Sequence, residues 1–171
     1  MVRWLWLSLL LGVGLLLGSA PSHAQTLRIP KVGDPALSVN MPAGWSSNYD
    51  QYGNLQFSSS DRSVNLQLSI LTGSLAGAPI LDTLNATAAS IFKASGAQPY
   101  SKSEPGALAG QLGVTYYSTL TTDNVTLNMK VVLAELDSSH VACMTIITRQ
   151  EAALAQLLAL NKLIGVVQLA K

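Results

Sequence analysis

The chain has 171 residues, of which 49% are hydrophobic and 11% are charged, and its 10 basic and 9 acidic residues give a formal net charge of +1. This balance excludes a basic surface that could neutralise many phosphates, so we expect neither nucleic acid nor an anionic membrane as an electrostatic partner. The length suits one ordinary domain, and a single cysteine excludes an intrachain disulfide.

Residues 1–24 have the pattern of a secretory signal peptide. Arg3 precedes an uncharged apolar run over residues 4–17, and small residues follow up to Ala24. The run is shorter than the roughly 20 residues that span a bilayer, which argues against a transmembrane anchor. We therefore predict cleavage after Ala24, a single mature domain over residues 25–171, and a periplasmic or secreted location.

Cysteine usage narrows the compartment further. Eukaryotic secreted domains of this size often carry disulfides, so their absence favours the bacterial periplasm. No cysteine follows the apolar run to accept a lipid anchor. We therefore expect no strong membrane association after the signal is cleaved.

Three strands are predicted before the first helix. Residues 25–34 form an extended lead-in, and strands follow over residues 36–41 and 54–59. The clearest strand covers residues 63–71, where apolar and polar side chains alternate with the period of two that a half-buried strand requires. Its apolar face consists of Val64, Leu66, Leu68 and Ile70.

A helix is predicted over residues 79–95. Its apolar residues recur at spacings of three and four, which places them in one stripe of an amphipathic helix. Pro79 suits the first turn, and Gly96 suits the left-handed position beyond the last turn. The predicted stripe consists of Leu81, Leu84, Ala88 and Ile91.

The second half of the chain predicts about four more strands. They cover residues 98–103, 111–120, 125–136 and 140–148, with turns at 121–124 and 137–139. One face of the third of these strands carries Val125, Leu127, Met129, Val131 and Leu133. The strand at 140–148 is apolar at both parities, which is typical of a strand that is covered on both faces.

A last helix is predicted to run to about Val167. Thr148 and Glu151 have the spacing of a capping box, in which each side chain bonds the backbone of the other. Its predicted stripe consists of Leu154, Leu157, Asn161 and Ile164, and Leu158 and Leu160 widen it. Hairpin-like connections and two amphipathic helices together predict an α+β fold with a mainly antiparallel sheet.

The segment over residues 37–45 carries a resemblance to a known family. A strand that ends in Pro42-Ala-Gly-Trp45, followed by a strand with Phe and Ser at residues 55–59, resembles the opening of PsbP/DcrB-like domains. The order of elements over residues 32–170 is also similar. The resemblance implies a three-layer α/β/α sandwich around a mainly antiparallel sheet of about seven strands. It also implies binding without catalysis, since PsbP-like proteins bind photosynthetic membrane complexes and DcrB-like proteins belong to the bacterial envelope.

Residue patterns of catalytic and metal sites are weak in this chain. His140 and Cys143 are three positions apart on a strand, so they point to opposite faces and cannot hold one metal ion. Asp137, Ser138 or Ser139, and His140 could supply a Ser–His–Asp set, but neighbours in one turn do not generally reach triad geometry. We therefore predict no catalytic residue, metal site or cofactor.

Three aromatic residues suggest a recognition surface. Trp45, Tyr49 and Tyr52 lie in a predicted loop that is rich in Ser, Asn and Gly, a composition typical of contact surfaces. We predict that a partner binds there, with the alternative that Trp45 folds back to close the end of the sheet.

These observations predict an exported, non-catalytic binding or accessory protein of the bacterial envelope. One alternative is a protein that binds a small apolar ligand or lipid in a cavity between helix and sheet. A second alternative is a small periplasmic hydrolase, which would need carboxylates or a Ser–His contact in a concave site.

Overall fold

A computed structural model describes residues 26–73 and 79–170. The predicted signal peptide lies outside the described residues. Within the described residues the first half has strands β1 (Thr26–Ile29), β2 (Leu37–Asn40), β3 (Ser46–Tyr49), β4 (Leu55–Ser58) and β5 (Val64–Thr72), then helix α1 (Ile80–Ala94). The second half has strands β6 (Lys102–Leu108), β7 (Gln111–Thr122), β8 (Val125–Asp137) and β9 (His140–Arg149), then helix α2 (Leu154–Gly165) and strand β10 (Gln168–Leu169).

Seven of the strands form one antiparallel sheet, in the order β3-β4-β5-β9-β8-β7-β6. The long strands β7 and β8 are joined by a turn in which Asp123 and Asn124 both have positive φ, as a two-residue hairpin requires. A second, small sheet has the order β1-β2-β10. The predicted α+β class and the antiparallel sheet of about seven strands are therefore confirmed.

The sheet carries two separate hydrophobic cores, because successive side chains of a strand point to opposite faces. The α1 core contains Leu84, Ala88 and Phe92 of α1 with Tyr116, Met129, Val131, Leu133, Val141 and Cys143. The α2 core contains Leu160 and Leu163 of α2 with apolar residues of the small sheet and with Leu66, Leu68, Val132, Met144 and Ile146. β9 contributes to both cores, as its apolar residues at both parities predict.

Helix α1 differs from the prediction in its buried stripe. Leu84 and Ala88 are buried as expected, but the next buried position is Phe92, whereas Ile91 is only half-buried. Leu81 was predicted to be buried and is 53% exposed. The buried positions Leu84, Ala88 and Phe92 are four residues apart, slightly more than the 3.6 residues of one turn, so the line of contact rotates around the helix. Leu81 lies three residues before Leu84 and falls outside this line. Gly96 has φ +71, which confirms the left-handed position after the helix.

The predicted capping box at the start of the last helix is wrong. Thr148 still belongs to β9, and α2 begins only at Leu154, after Ala153, which makes no side-chain capping bond. Pairing along the β5 edge extends β9 to Arg149 and so removes Thr148 from the helix start. The predicted stripe is shifted as well: Leu154 and Leu158 are exposed, Leu160 is buried as expected, and the other buried residue is Leu163, which the prediction left out.

The sequence patterns missed three short strands and misplaced a fourth. β3 falls in the segment predicted as a loop, β1 falls in the predicted lead-in, and β10 lies just beyond the predicted end of the last helix. β6 begins at Lys102 and runs past the predicted strand at 98–103. β3 and β10 bury no side chain fully, so only backbone pairing defines them, and hydrophobic periodicity cannot detect such strands.

Candidate functional site

Trp45 is a structural residue. Its ring is 6% exposed and belongs to the α2 core, and its Nε1 donates a hydrogen bond of 3.1 Å to Oε1 of Gln156 on α2. The alternative prediction for this residue, that it folds back against the sheet, matches its placement. Trp45 therefore links the entry of β3 to α2 and has little surface to offer a partner.

Tyr49 joins the edge of the large sheet to the small sheet. Its hydroxyl donates a hydrogen bond of 2.8 Å to the carbonyl of Arg28 in β1, and its half-buried ring packs against the α2 core. Nζ of Lys31 lies 4.2 Å from the centre of the ring, within range of a cation–π interaction. The predicted loop is thus an edge strand in this part, with Tyr49 anchored on it.

Tyr52 is the exposed member of the three. Its side chain is 80% exposed in the turn between β3 and β4. The carboxylate of Asp50 accepts hydrogen bonds from the backbone N–H of Tyr52 at 2.8 Å and of Asn54 at 3.0 Å, which fixes the turn. Tyr52 is therefore presented on a well-defined backbone. It is exposed, unlike Trp45, which is buried against α2, and unlike Tyr49, whose hydroxyl is bonded to β1.

A cleft of about 250 Å³, here called the Tyr52 cleft, lies beside this turn. Its lining includes Tyr52, Ile29, Pro30, Pro35, Ile70 and His140. Val32, in the loop that forms one wall, is 87% exposed. Polar side chains of Asp34, Asn54 and Thr72 complete the lining, so a partner that bound the exposed Tyr52 here would meet both apolar and polar surface.

His140 meets Asp137 and Ser139 in the turn between β8 and β9, but not as a catalytic triad. The Nδ1 atom of His140 lies 2.8 Å and 2.9 Å from the two carboxylate oxygens of Asp137 and 3.1 Å from Oγ of Ser139. In a Ser–His–Asp triad the serine and the carboxylate contact different ring nitrogens. Here both crowd one nitrogen, so the set acts as turn chemistry, and the N–H of Ser139 and the ring of His140 lower the pKa of Asp137.

A second concave site, here called the α2 groove, lies between α2 and the sheet. It encloses about 510 Å³, and its lining includes Tyr117, Asn128, Lys130, Ile146, Leu157 and Asn161. This volume falls in the usual range for small-molecule sites, roughly 300–1,000 Å³. The groove is apolar where α2 contacts the sheet and polar along β7 and β8.

Tyr117, which lines the groove, is bonded to a charge pair on the neighbouring strand β6. Nζ of Lys102 lies 2.6 Å from Oε2 of Glu104, and the Tyr117 hydroxyl donates a hydrogen bond to the same carboxylate. Lys102 and Tyr117 hold the pKa of Glu104 below its usual range, and the bond to Glu104 together with partial burial raises the pKa of Tyr117 to about 12. Among the described residues Lys130 forms no ion pair; its Nζ lies 5.8 Å from the centre of the Tyr117 ring, and its charge also helps to lower the pKa of Glu104.

Within residues 26–73 and 79–170, no group of three or more His, Cys, Asp and Glu side chains converges to hold a metal ion. Cys143 is buried in the α1 core, and burial raises the pKa of its thiol to about 11. A thiol in this state is protonated and poorly nucleophilic at neutral pH. In the same part of the chain, no helix is both long and apolar enough to cross a membrane.

Two solved structures have an architecture similar to that of this chain. LpqN of Mycobacterium tuberculosis, which is involved in cell envelope biogenesis, matches with a TM-score of 0.60 at 13% identity, over 87% of this chain and 92% of LpqN. The cyanobacterial PsbP of Synechocystis sp. PCC 6803, CyanoP, matches with a TM-score of 0.57 at 16% identity, over 90% of this chain and 99% of CyanoP. The chain has the PsbP-like fold. The resemblance in the Pro42-Ala-Gly-Trp45 segment is thereby confirmed at the level of the fold.

A protein with a different role has a similar fold. The Ran-binding protein Mog1p of Saccharomyces cerevisiae matches with a TM-score of 0.52 at 11% identity, over 85% of this chain and 96% of Mog1p. No family model and no curated protein sequence matches this chain. At these identities the comparisons establish the fold, and the choice of function depends on the sites described above.

Sequence reasoning missed two residues of the candidate sites. Val32 lies two residues after Pro30 in a segment without periodicity, so nothing in the sequence marks it as exposed. Lys130 lies between Met129 and Val131, which share the apolar face on which the prediction of β8 is based, so Lys130 points to the opposite face. The signal for Lys130 was available: a lysine at the centre of a long strand is unusual when that strand lies inside a sheet.

Proposed function

We propose that this protein is an exported, non-catalytic binding or accessory module of the bacterial envelope. In this proposal residues 1–24 are the cleaved signal peptide and residues 25–171 form the single mature domain. The signal pattern supports export, and the likeness to LpqN and CyanoP is consistent with an accessory role. The crowding of Ser139 and Asp137 on one nitrogen of His140 argues against the hydrolase alternative.

The observation that carries the binding role is the Tyr52 cleft. Tyr52 lines the cleft and is 80% exposed, and Val32, which is 87% exposed, belongs to the loop that supplies Pro30 and Gly33 to the lining, so a partner could bury both side chains. Burying apolar surface contributes about 25 cal/mol per Å², so two such residues can anchor a contact without help from long-range charge. In this proposal Trp45 and Tyr49 support the partner-binding surface from below, and Tyr52 touches the partner.

Pull-down from the envelope fraction tests this contact. The bait variants are the wild type, the double variant Val32→Ser with Tyr52→Ala, and Leu112→Ser, a matched control because Leu112 is 89% exposed at another part of the sheet. We expect one protein to be recovered with the wild type and the control and to be depleted about tenfold with the double variant, and purified partner to reproduce that loss. Equal recovery by the double variant would place the contact elsewhere.

The α2 groove supports a second candidate function, the binding of a small apolar ligand. Its volume of about 510 Å³, its apolar strip and the charge of Lys130, which forms no ion pair among the described residues, suit an amphipathic molecule with an acidic end. Titration with the anionic fluorophore anilinonaphthalene sulfonate, in the wild type and in Leu157→Asn and Lys130→Gln, tests this candidate. We expect saturable fluorescence that both variants weaken, and an unchanged response in both would exclude the groove.

We also infer that the large sheet is the middle layer of a three-layer α/β/α sandwich. This inference is supported by the division of α1 and α2 between two cores that use alternate residues of β8 and β9. A sandwich of this kind leaves the loops at the two ends of the sheet free for binding, which is where the Tyr52 cleft lies.

A further inference from the structure

A cleft of about 280 Å³, here called the arginine cleft, lies where the turns after β4, β7 and β9 meet. Two arginines, Arg62 and Arg149, and two acids, Asp123 and Glu151, line it, and Leu127 and Ile147 supply apolar side chains. We propose that the arginine cleft binds a small zwitterion, whose oxyanion contacts the two arginines and whose ammonium group contacts the two acids. This proposal does not depend on the Tyr52 cleft or on the α2 groove.

The two guanidinium groups are available to a ligand. The ion pairs among the described residues join Arg28 to Asp34, Lys102 to Glu104 and His140 to Asp137, so neither Arg62 nor Arg149 is paired. Asp61, the chain neighbour of Arg62, accepts hydrogen bonds from the hydroxyls of Ser59 and Ser63 at 2.6 Å and 2.8 Å. Its carboxylate is thus engaged inside the turn, where it also accepts from the N–H of Ser63 at 3.0 Å.

The backbone that carries the arginines is held firmly. Arg62 has φ +56, a left-handed conformation that is uncommon for a residue with a Cβ, and its N–H donates to the carbonyl of Ser59 at 2.9 Å. The N–H of Arg149 donates to the carbonyl of Ser63 at 2.8 Å, which ties the end of β9 to the same turn. A strained backbone position that its surroundings fix is a recurrent property of binding sites.

The charges of the cleft favour a zwitterion over a simple anion. A guanidinium presents a planar set of donors that matches carboxylate and phosphate oxygens. Two acids in the same lining would repel a free anion and attract an ammonium group, and the four charges sum to zero. The volume of about 280 Å³ is slightly below the usual range for ligand sites, which suits a molecule as small as a dipeptide or a lipid headgroup.

NMR titration of the exported protein tests the proposal with two zwitterions, L-alanyl-L-alanine and phosphoethanolamine. Binding of the first alone identifies a carboxylate ligand, binding of the second alone identifies a phosphate ligand, and binding of both supports a site for either oxyanion. We expect a dissociation constant of about 1 mM or tighter for at least one probe, and about tenfold weaker binding of its partner without the amine, N-acetyl-L-alanine or inorganic phosphate.

Variants locate the binding. Arg149→Gln and Arg62→Asn, in which asparagine tolerates the left-handed turn, should each weaken binding about tenfold, whereas Lys162→Gln, the same charge change on exposed α2, should leave it unchanged. Thermal melts confirm that each variant is folded. The proposal is overturned if neither zwitterion saturates the protein, if the amine-free anions bind equally well, or if folded arginine variants bind as the wild type does.

Discussion

The two helices of this fold are positioned by different means. α1 has a regular buried line at every fourth residue, an acid in its first turn at Asp82, a lysine in its last turn at Lys93, and Gly96 in the left-handed conformation after its end. Each of these features is a local signal that favours a helix at this place.

α2 has few of these local signals. It lacks an acidic residue in its first turn and, like α1, has no side-chain cap, and Leu154 and Leu158 face water. Contacts from elsewhere hold it instead: Trp45 donates to Gln156, and Leu163 is buried among residues of the α2 core. The comparison indicates that α1 is specified mainly by its own sequence, whereas α2 depends on the sheet and on the segment before β3.

The largest expected effect is on the α1 side. Phe92→Ala should lower the free energy of unfolding by about 3–5 kcal/mol, because the ring is fully buried and its removal leaves a cavity. Chemical denaturation measures the loss, and Leu81→Ala on the same helix is the control, with an expected change within about 0.5 kcal/mol. Similar losses in the two variants would restore the predicted stripe through Leu81.

On the α2 side, Leu163→Ala should cost about 2–5 kcal/mol, since Leu163 is fully buried. Leu157 is half-buried at the α2 groove, so Leu157→Ala should cost clearly less, about 1 kcal/mol. The same denaturation experiment checks both. A greater loss for Leu157 than for Leu163 would mean that α2 packs through the stripe that the sequence predicted.

A smaller effect should come from the start of α2. Ala153→Asp places a capping side chain and a negative charge at an uncapped helix start, and should raise the free energy of unfolding by about 1 kcal/mol. Glu151→Ala should change it by less than about 0.5 kcal/mol, because Glu151 lies in a turn before the helix. If Ala153→Asp is neutral and Glu151→Ala is costly, the capping box forms after all.

Two neighbouring tyrosines offer a spectroscopic comparison of the two faces. Burial under α1 raises the pKa of Tyr116, whereas Tyr117, beside the α2 groove, owes its pKa of about 12 first to Glu104. Ultraviolet titration should show one tyrosine moving toward the usual value near 10 in Glu104→Gln, with Glu135→Gln as a control. An unchanged titration would mean that Glu104 does not govern Tyr117.

Because the pKa of Tyr117 is raised on folding, the contribution of this group to the free energy of unfolding depends on pH. The folded state holds the phenol proton more tightly than the unfolded chain does, so this contribution is complete below about pH 10 and declines as pH rises toward about 12. Alkaline denaturation of wild type and Glu104→Gln should therefore diverge least at the high end of that window.

Periodic residues made much of this fold predictable. The prediction of β5 is correct because the alternating pattern that includes Leu66 and Leu68 indicates one buried face. The prediction of β9 is correct because apolar residues at both parities, such as Val141 and Ala142, indicate burial on both faces. β3 and β10 were not predicted, because no fully buried side chain marks them and only their backbone groups are paired. For the candidate sites, exposure of Tyr52 depended on a turn geometry set by Asp50, and convergence of Arg62 with Arg149 depended on the sheet order. Neither relation can be read from spacing along the chain.

The small sheet has a consequence for the timing of biogenesis. Gln168 pairs with Ser38, 130 positions earlier. One edge of β2 therefore stays unpaired until almost the whole domain has been synthesised and exported. An open edge presents unpaired N–H and C=O groups, to which other extended segments add readily. A polypeptide cut before residue 168 would therefore leave the edge of β2 unpaired, and a protease or chaperone that binds extended strands could recognise that edge.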